Sequence, residues 1–216
     1  MSGNEFAISE VLPGKLNALV KNIMAQVQTS DPSEAVRLVN SGERVVVDPS
    51  KLNPCWIRIS DTILAVNLGA APYPPFSSAG VVSHLGQGGV LFEKKADGLY
   101  VGSQKVAPYL SQRQVNGKWL KGYELRDELT GKSVLNANVL DALAENSDLI
   151  PEDWKRDEKG NIRFIYFWGT VFGGRDGGEY VRCLYFRVGA WRRSYHWLDN
   201  VWRSSQPAAV LAGPSV

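Results

Sequence analysis

The chain has 216 residues, of which 44% are hydrophobic and 21% are charged, a composition typical of a folded protein long enough to bury a core. Lys plus Arg number 24 and Asp plus Glu number 22, a formal net charge of +2, which excludes a global electrostatic attraction to nucleic acid or anionic lipid. Two cysteines, Cys55 and Cys183, are too few for the disulfide framework of a small secreted scaffold.

The first 43 residues predict two helices. Leu16, Val20 and Ile23 follow helical spacing in the first, and Asp31 and Gly42 suit the N-cap and the C-terminal end of the second. The chain starts without a basic segment followed by a long apolar run, so we expect no signal peptide, no membrane association and a cytoplasmic location.

The next region, 44–120, predicts short strands. The runs RVVVD, CWIRIS and TILAVNL are rich in β-branched residues, whereas 69–80 contains three prolines and is a loop by composition. VLFEKKADGLYVGS, residues 90–103, predicts a hairpin, and Asn116-Gly117 predicts the turn of another.

A leucine-rich stretch, 121–155, predicts a helical connector. Leu135, Val139, Leu140 and Leu143 can share one helix face, and Pro151 marks an end or restart. Because the stretch has no glycine-serine tract, we expect a packed connector rather than a flexible hinge.

Residues 162–202 hold 12 of the chain's 22 aromatic residues. Three strands are predicted here, joined by the loop GGRDGG at 173–178 and by a turn at Gly189-Ala190, as an antiparallel meander. Twelve exposed rings would show on the order of 2,000 Å² of apolar surface, against about 300–600 Å² tolerated by soluble monomers. Most rings are therefore expected to be buried, and about three or four are left for a binding face.

The third strand of the meander carries the candidate binding face. Its rings alternate with arginine, a pattern typical of surfaces that stack a flat ligand and bind its anionic group. The predicted binding residues are Trp191, Arg193, Tyr195, Trp197, Arg182 and Arg187. The alternative is cross-strand ring pairing with arginine stems lying over the rings.

Catalytic and metal motifs are weak. His84, His196, Cys55 and Cys183 are suitable residue types, but no pair has zinc-ligand spacing and no cysteine has a neighbouring base. The glycine-rich loop lacks the Lys-Ser/Thr and the following helix of a phosphate loop. We therefore expect no catalytic residue, no metal and no cofactor.

The C-terminal half resembles a segment of small uncharacterised bacterial proteins. The residues that carry the resemblance are LIPEDWK, FWGT, the Val-Arg-x-Leu of YVRCLYF and PAA, in that order between about 121 and 211. That family has no assigned activity, so the resemblance implies no catalytic residue. It implies only that the connector and the meander form one module.

Together these patterns predict an α+β fold: a barrel-like or strongly bent antiparallel sheet, two N-terminal helices and a helical connector. The expected units are 1–43, 44–120 and 121–216, and the alternative that the last two form one domain is left open. The predicted function is non-catalytic binding of a protein or a small ligand, with a homo-oligomer left open. One alternative is a single-stranded nucleic-acid binder using Arg182, Arg187, Arg192 and Arg193, and another is a hydrolase whose Cys/His or carboxylate site is assembled in space.

Overall fold

The computed structural model describes residues 55–212. Its strands are β1 (Trp56–Arg58), β2 (Ile63–Asn67), β3 (Gly80–His84), β4 (Gly89–Lys95), β5 (Gly98–Val101), β6 (Gln104–Tyr109), β7 (Leu120–Lys121), β8 (Phe164–Tyr166), β9 (Thr170–Gly173), β10 (Glu179–Arg187), β11 (Ala190–Trp197), β12 (Val201–Trp202) and β13 (Ala208–Leu211). Helices α1 (Gly122–Leu129) and α2 (Ala137–Glu145) lie between β7 and β8, and short 3-10 helices follow at Ser147–Leu149 and Glu152–Trp154.

Within residues 55–212, eleven strands form one sheet in the order β1-β2-β4-β5-β6-β13-β8-β10-β9-β3, with β11 paired to β10. All pairs are antiparallel except β13 with β8. β8 and β9 follow each other along the same edge of β10, and the chain makes a turn at Trp168 and Gly169 between them. β7 and β12 form a separate two-stranded ribbon.

The sheet buries a different cluster on each face. On one face, α2 packs against β2, β10 and β11, and Leu140, Leu143 and Trp154 join Phe92 and Leu184 in one core. On the other face, α1 and the β7–β12 ribbon cover a second core that contains Trp168 and Trp202. One face of β11, the strand that carries the candidate binding residues, is therefore turned toward α2.

The N-terminus of α2 packs against the turn between β8 and β9. Asn136 is the N-cap, and its side-chain oxygen accepts from the backbone N–H groups of Asn138 and Val139 at 3.1 and 3.3 Å. Gly169 passes so close that a Cβ there would lie 2.9 Å from Asn136. Glycine is therefore required at 169 for the helix to reach the sheet.

The expected fold class is wrong. The sheet is an open succession of strands between β1 and β3, not closed into a barrel within the part of the chain that the structure describes. The two described α-helices lie between 122 and 145 rather than at the N-terminus. The two predicted N-terminal helices fall in 1–43, outside the described residues, and the predicted boundaries between units stay predictions.

Two local predictions need adjustment. The turn of the last hairpin is Val188-Gly189, since Arg187 pairs with Ala190. Asn116 and Gly117 do form a turn with φ of 55° and 77°, but the strand after it, β7, pairs with β12 instead of with the segment before the turn. The hairpin prediction there is wrong.

Candidate functional site

The β10–β11 hairpin places four of the six predicted binding residues together. Its register pairs Arg182 with Tyr195, Leu184 with Arg193 and Tyr180 with Trp197. Residues paired across an antiparallel ladder point to the same face, and Leu184 belongs to the core under α2. The face that carries Arg182, Arg193, Tyr195 and Trp197 is therefore the one toward α2.

The other two predicted residues lie nearer the turn of the hairpin. Trp191 is opposite Phe186, with ring centroids 5.6 Å apart in an edge-to-face arrangement, and packs against the α2-side core. Arg187 is exposed at the end of β10 next to the turn. The structure therefore places Trp191 on the same face as the other four but nearer the turn, and puts only Arg187 on the opposite face.

An ion cluster joins α2 to the hairpin. Arg182 donates two parallel hydrogen bonds to Asp141, Nη1 to Oδ2 and Nη2 to Oδ1, both at 2.7 Å. Arg193 places its Nε 3.1 Å from Asp141 Oδ1, and its Nη2 donates to Glu145 Oε1 at 2.5 Å. Two guanidinium groups and two carboxylates give the cluster a formal charge of zero.

The four ions differ sharply in burial. The side chains of Arg182 and Asp141 are 6% and 4% exposed, whereas those of Arg193 and Glu145 are 40% and 56% exposed. Charge is costly to bury unless it is paired with good geometry. The cluster thus has a fixed, buried half and a half that water reaches.

A cavity of about 410 Å³ opens on this cluster. It is lined by Trp56, Tyr73, Asp141, Glu145, Arg182 and Arg193. The rings of Trp56 and Tyr73 meet edge to face with centroids 6.5 Å apart. Arg182 Nη1 also donates to the backbone carbonyl of Tyr73 at 2.8 Å, so the floor of the cavity holds the loop 69–80 in place. The volume lies within the range of small-molecule sites.

Beside the cavity lies a group of four rings, Phe76, Tyr180, Tyr195 and Trp197, which we call the ring cluster. Phe76 contacts Tyr180 and Tyr195 with centroids 5.3 Å away in each case. Tyr180 stacks on Trp197 with centroids 6.0 Å apart and planes 7° apart. This is the cross-strand ring pairing that the sequence left as an alternative, yet Tyr195 and Trp197 keep exposed surface.

Burial of the aromatic segment follows the expectation from composition only in part. Of the twelve rings between Ile162 and Trp202, five are buried and only Tyr195 and Trp197 are exposed. The other five rings are partly buried, so ten of the twelve are at least partly covered, although fully buried rings are not the majority that composition predicts. What remains open is small and lies next to the ion cluster.

The two histidines and the two cysteines have surroundings that account for them as parts of the packed fold. The two ring nitrogens of His84 lie 2.7 Å from Thr170 Oγ1 and 2.7 Å from the Leu68 carbonyl. His196 lies against Trp202 with centroids 5.0 Å apart. Burial raises the pKa of the Cys183 thiol to about 12, and burial also raises the pKa of Cys55, so neither favours a thiolate.

Among residues 55–212, no group of three or more His, Cys, Asp or Glu side chains could hold a metal ion. The hypothesis of a hydrolase with a site assembled in space stays a prediction, because the contacts of the histidines and cysteines do not test it.

Sequence reasoning missed four residues of the cavity: Trp56, Tyr73, Asp141 and Glu145. One signal was present, because Asp141 stands in the otherwise apolar run VLDALA and shares a helix face with Glu145, four residues later. A buried carboxylate requires a cation, but nothing in the sequence indicates which arginine supplies it.

Among the described residues, no helix combines the length and apolar character needed to cross a membrane. Comparison of the chain with protein-family models, with curated proteins and with solved structures finds no match.

Proposed function

We propose that this chain is a non-catalytic binding protein whose binding site is the cavity between α2 and the β10–β11 hairpin, bordered by the ring cluster. The observation that carries the proposal is the lining of this cavity, where the buried pair of Arg182 and Asp141 stands together with the exposed Tyr73. Fixed charge beside exposed rings is the combination that orients a ligand and binds its flat surface.

Pairing of the charges supports binding over catalysis. Each carboxylate in the cluster already has a guanidinium partner, so neither is arranged as a free acid or base. A buried ion pair often stabilises a fold no more than apolar residues of the same volume, so two roles can account for it, conformational specificity and ligand recognition. We propose the second, because the pair lines a cavity that is open to solvent.

Single-stranded nucleic acid is less well supported as the ligand. Arg182 and Arg193 are paired with carboxylates, and Arg187 lies at the far end of β10. Backbone tracking requires a row of cations free to contact phosphates. This alternative stays a prediction, for which binding that weakens steeply with salt would be the signature.

We also propose that the protein acts in a reducing compartment, the cytoplasm. Support comes from Cys55 and Cys183, which are both free thiols. Association of the chain into a homo-oligomer stays an open alternative.

The binding function can be tested without knowing the ligand. The seven tryptophans can be replaced by 5-fluorotryptophan, and the resonances of Trp56 and Trp119 assigned with Trp56→Phe and Trp119→Phe. A fragment library that contains acids, amines and neutral rings is then added. We expect binders to shift the Trp56 resonance and to leave that of Trp119, an exposed tryptophan that does not line the cavity.

The proposal fails if no class of fragment, at millimolar concentration, shifts the Trp56 resonance more than that of Trp119. Binding that shifts both equally would indicate general stickiness of exposed rings and would count against the site as well.

A further inference from the structure

We propose that the ligand of this cavity is a monocarboxylate carried on a flat apolar group, and that Glu145 is an internal competitor which occupies the carboxylate position until the ligand displaces it. This inference rests on the proposed function. Its subject is the chemical class of the ligand and the residue that tunes the affinity.

Arg193 is built to receive a carboxylate. Its Nε lies 3.1 Å from the buried Oδ1 of Asp141, which holds one edge of the guanidinium. The Nη2 group extends to Glu145, so the nitrogen that binds Glu145 is the one available to an incoming acid. A guanidinium anchored by one carboxylate loses little freedom when it binds a second oxyanion.

Glu145 is a weakly held occupant of that position. It is the last residue of α2, and its side chain is 56% exposed. An ion pair so open to water is worth little, because solvent competes for both charges. Asp141 differs, since it is 4% exposed and is bound to Arg182 as well. The ligand can therefore replace Glu145 but not Asp141.

The charge balance selects a monoanion. With Glu145 turned into solvent, the guanidinium groups of Arg182 and Arg193 and the carboxylate of Asp141 leave one net positive charge. A carboxylate neutralises that charge, whereas a phosphate monoester carries about −1.5 to −2 near neutral pH and leaves an excess. A cationic ligand would meet Arg193 already in place against both carboxylates.

The walls select a flat apolar body. Trp56 and Tyr73 stand edge to face beside the ions, and Tyr73 is largely exposed. A planar ring held by its carboxylate at Arg193 would cover this apolar surface. A cavity of about 410 Å³ accommodates a free small acid, and it also accommodates the last residue of a peptide, which presents the same carboxylate.

The experiment uses three probes with one ring system: 2-naphthoate, 2-naphthamide and 2-naphthylmethylamine. Binding is measured by titration of the full chain and by the Trp56 fluorine resonance. We expect naphthoate to bind at least ten-fold more tightly than the amide or the amine. Glu145→Gln is expected to tighten naphthoate by about two- to five-fold, the value of one exposed ion pair, and Arg193→Gln to weaken it at least ten-fold.

Glu152→Gln is the matched control. It removes one exposed, lysine-paired carboxylate outside the cavity and changes the net charge by the same amount as Glu145→Gln. Naphthoate affinity is expected to stay within two-fold of wild type in this variant. A folding defect cannot produce tighter naphthoate binding in Glu145→Gln. This variant therefore still tests the proposal if Arg193→Gln destabilises the protein.

The outcomes separate the two proposals. Amine or amide binding at Trp56 without a preference for naphthoate overturns the carboxylate but leaves the binding function. Unchanged or weaker naphthoate binding in Glu145→Gln overturns the role of Glu145. A Gly-Gly-Trp peptide, as free acid and as amide, distinguishes the sources: preference for the peptide acid over naphthoate assigns a chain terminus, and the reverse assigns a free small acid, both within the carboxylate class.

Discussion

Arg182 and Asp141 are joined by two parallel hydrogen bonds of 2.7 Å, from one strand of the hairpin to the helix that covers it, across 41 positions of sequence. Both side chains are almost fully buried. This one contact orients α2 on the sheet and forms the floor of the cavity, so its energetics can be tested apart from any ligand.

Asp141→Asn is expected to lower the free energy of unfolding by about 3–5 kcal/mol, because it leaves the buried guanidinium of Arg182 without a counter-charge. The double variant Asp141→Leu with Arg182→Met removes both charges and is expected to recover most of that loss. Urea denaturation measures both. A loss below about 1 kcal/mol in Asp141→Asn would mean that water reaches Arg182 and that the pair is not structural.

Gly122→Ala is expected to destabilise the protein by about 1–3 kcal/mol, the cost of overpacking a core. A Cβ at this position would lie 2.5 Å from the Leu198 carbonyl oxygen and 2.6 Å from Trp202 Nε1, and the contact with backbone cannot relax by a rotamer change. Gly80→Ala is the control, since a Cβ at Gly80 meets nothing within 4 Å. Equal thermal unfolding midpoints for the two variants would contradict the close approach of α1 to the β7–β12 ribbon.

The two thiols are expected to differ strongly in reactivity. Burial raises the pKa of Cys183 to about 12, which lowers its thiolate fraction at pH 8 about a thousand-fold relative to an ordinary thiol. Cys55 is only partly buried. Native protein should therefore release one equivalent of chromophore with Ellman's reagent, and Cys55→Ser should release none until it is unfolded. Rapid reaction of two thiols in native protein would contradict the burial of Cys183.

Stability is expected to fall as the pH drops below about 6.5, the unfolded pKa of histidine, and His196 is the expected cause. Burial against Trp202 and Tyr166 lowers its pKa in the folded state, so the unfolded chain binds the proton more readily. Stability is then complete above the unfolded value of about 6.5 and is lost as the pH falls toward the folded pKa. Urea denaturation across this range should show a flatter pH dependence in His196→Gln; an unchanged slope would rule out this histidine.

Asn136 provides a cap and two donors, and the two roles can be separated. Its amide group donates to the carbonyls of Leu68 and Leu85 at 2.9 and 2.8 Å. Asn136→Ala removes both roles, whereas Asn136→Asp keeps the cap but buries a charge against carbonyls. We expect a loss of about 2 kcal/mol or more in each, and at least as much in Asn136→Asp. Wild-type stability in Asn136→Asp would show that only the cap matters.

Local alternation made the β10–β11 hairpin predictable. Rings and arginines at every second position place Arg193, Tyr195 and Trp197 on one face, and the structure keeps them there. The turn was displaced by one residue because Val188 adopts φ of 53°, a conformation that β-branched residues rarely take. The alternation of residue types predicts which side chains share a face of the sheet. It does not predict the position of the turn, because the pairing of the two strands imposes a backbone conformation that Val188 by itself disfavours.

The long-range half of the site was not predictable. Asp141 and Trp56 meet Arg182 only because α2 and β1 converge on the hairpin, and no local pattern encodes that convergence. The order of the strands was not predictable for a related reason. β13 is a run of four apolar residues, Ala208–Leu211, without a periodic signal that would place it in the middle of a sheet.

That central position has a consequence for how the protein is made. β13 lies between β6 and β8, yet among the described strands it is the last to be synthesised. Strands β1, β2, β4, β5 and β6 can pair on the ribosome separately from β3 and the β8–β11 group. The two parts become one sheet only after residues 208–211 have left the exit tunnel. A nascent chain stalled before that point exposes the edges of β6 and β8 to chaperones or to other nascent chains.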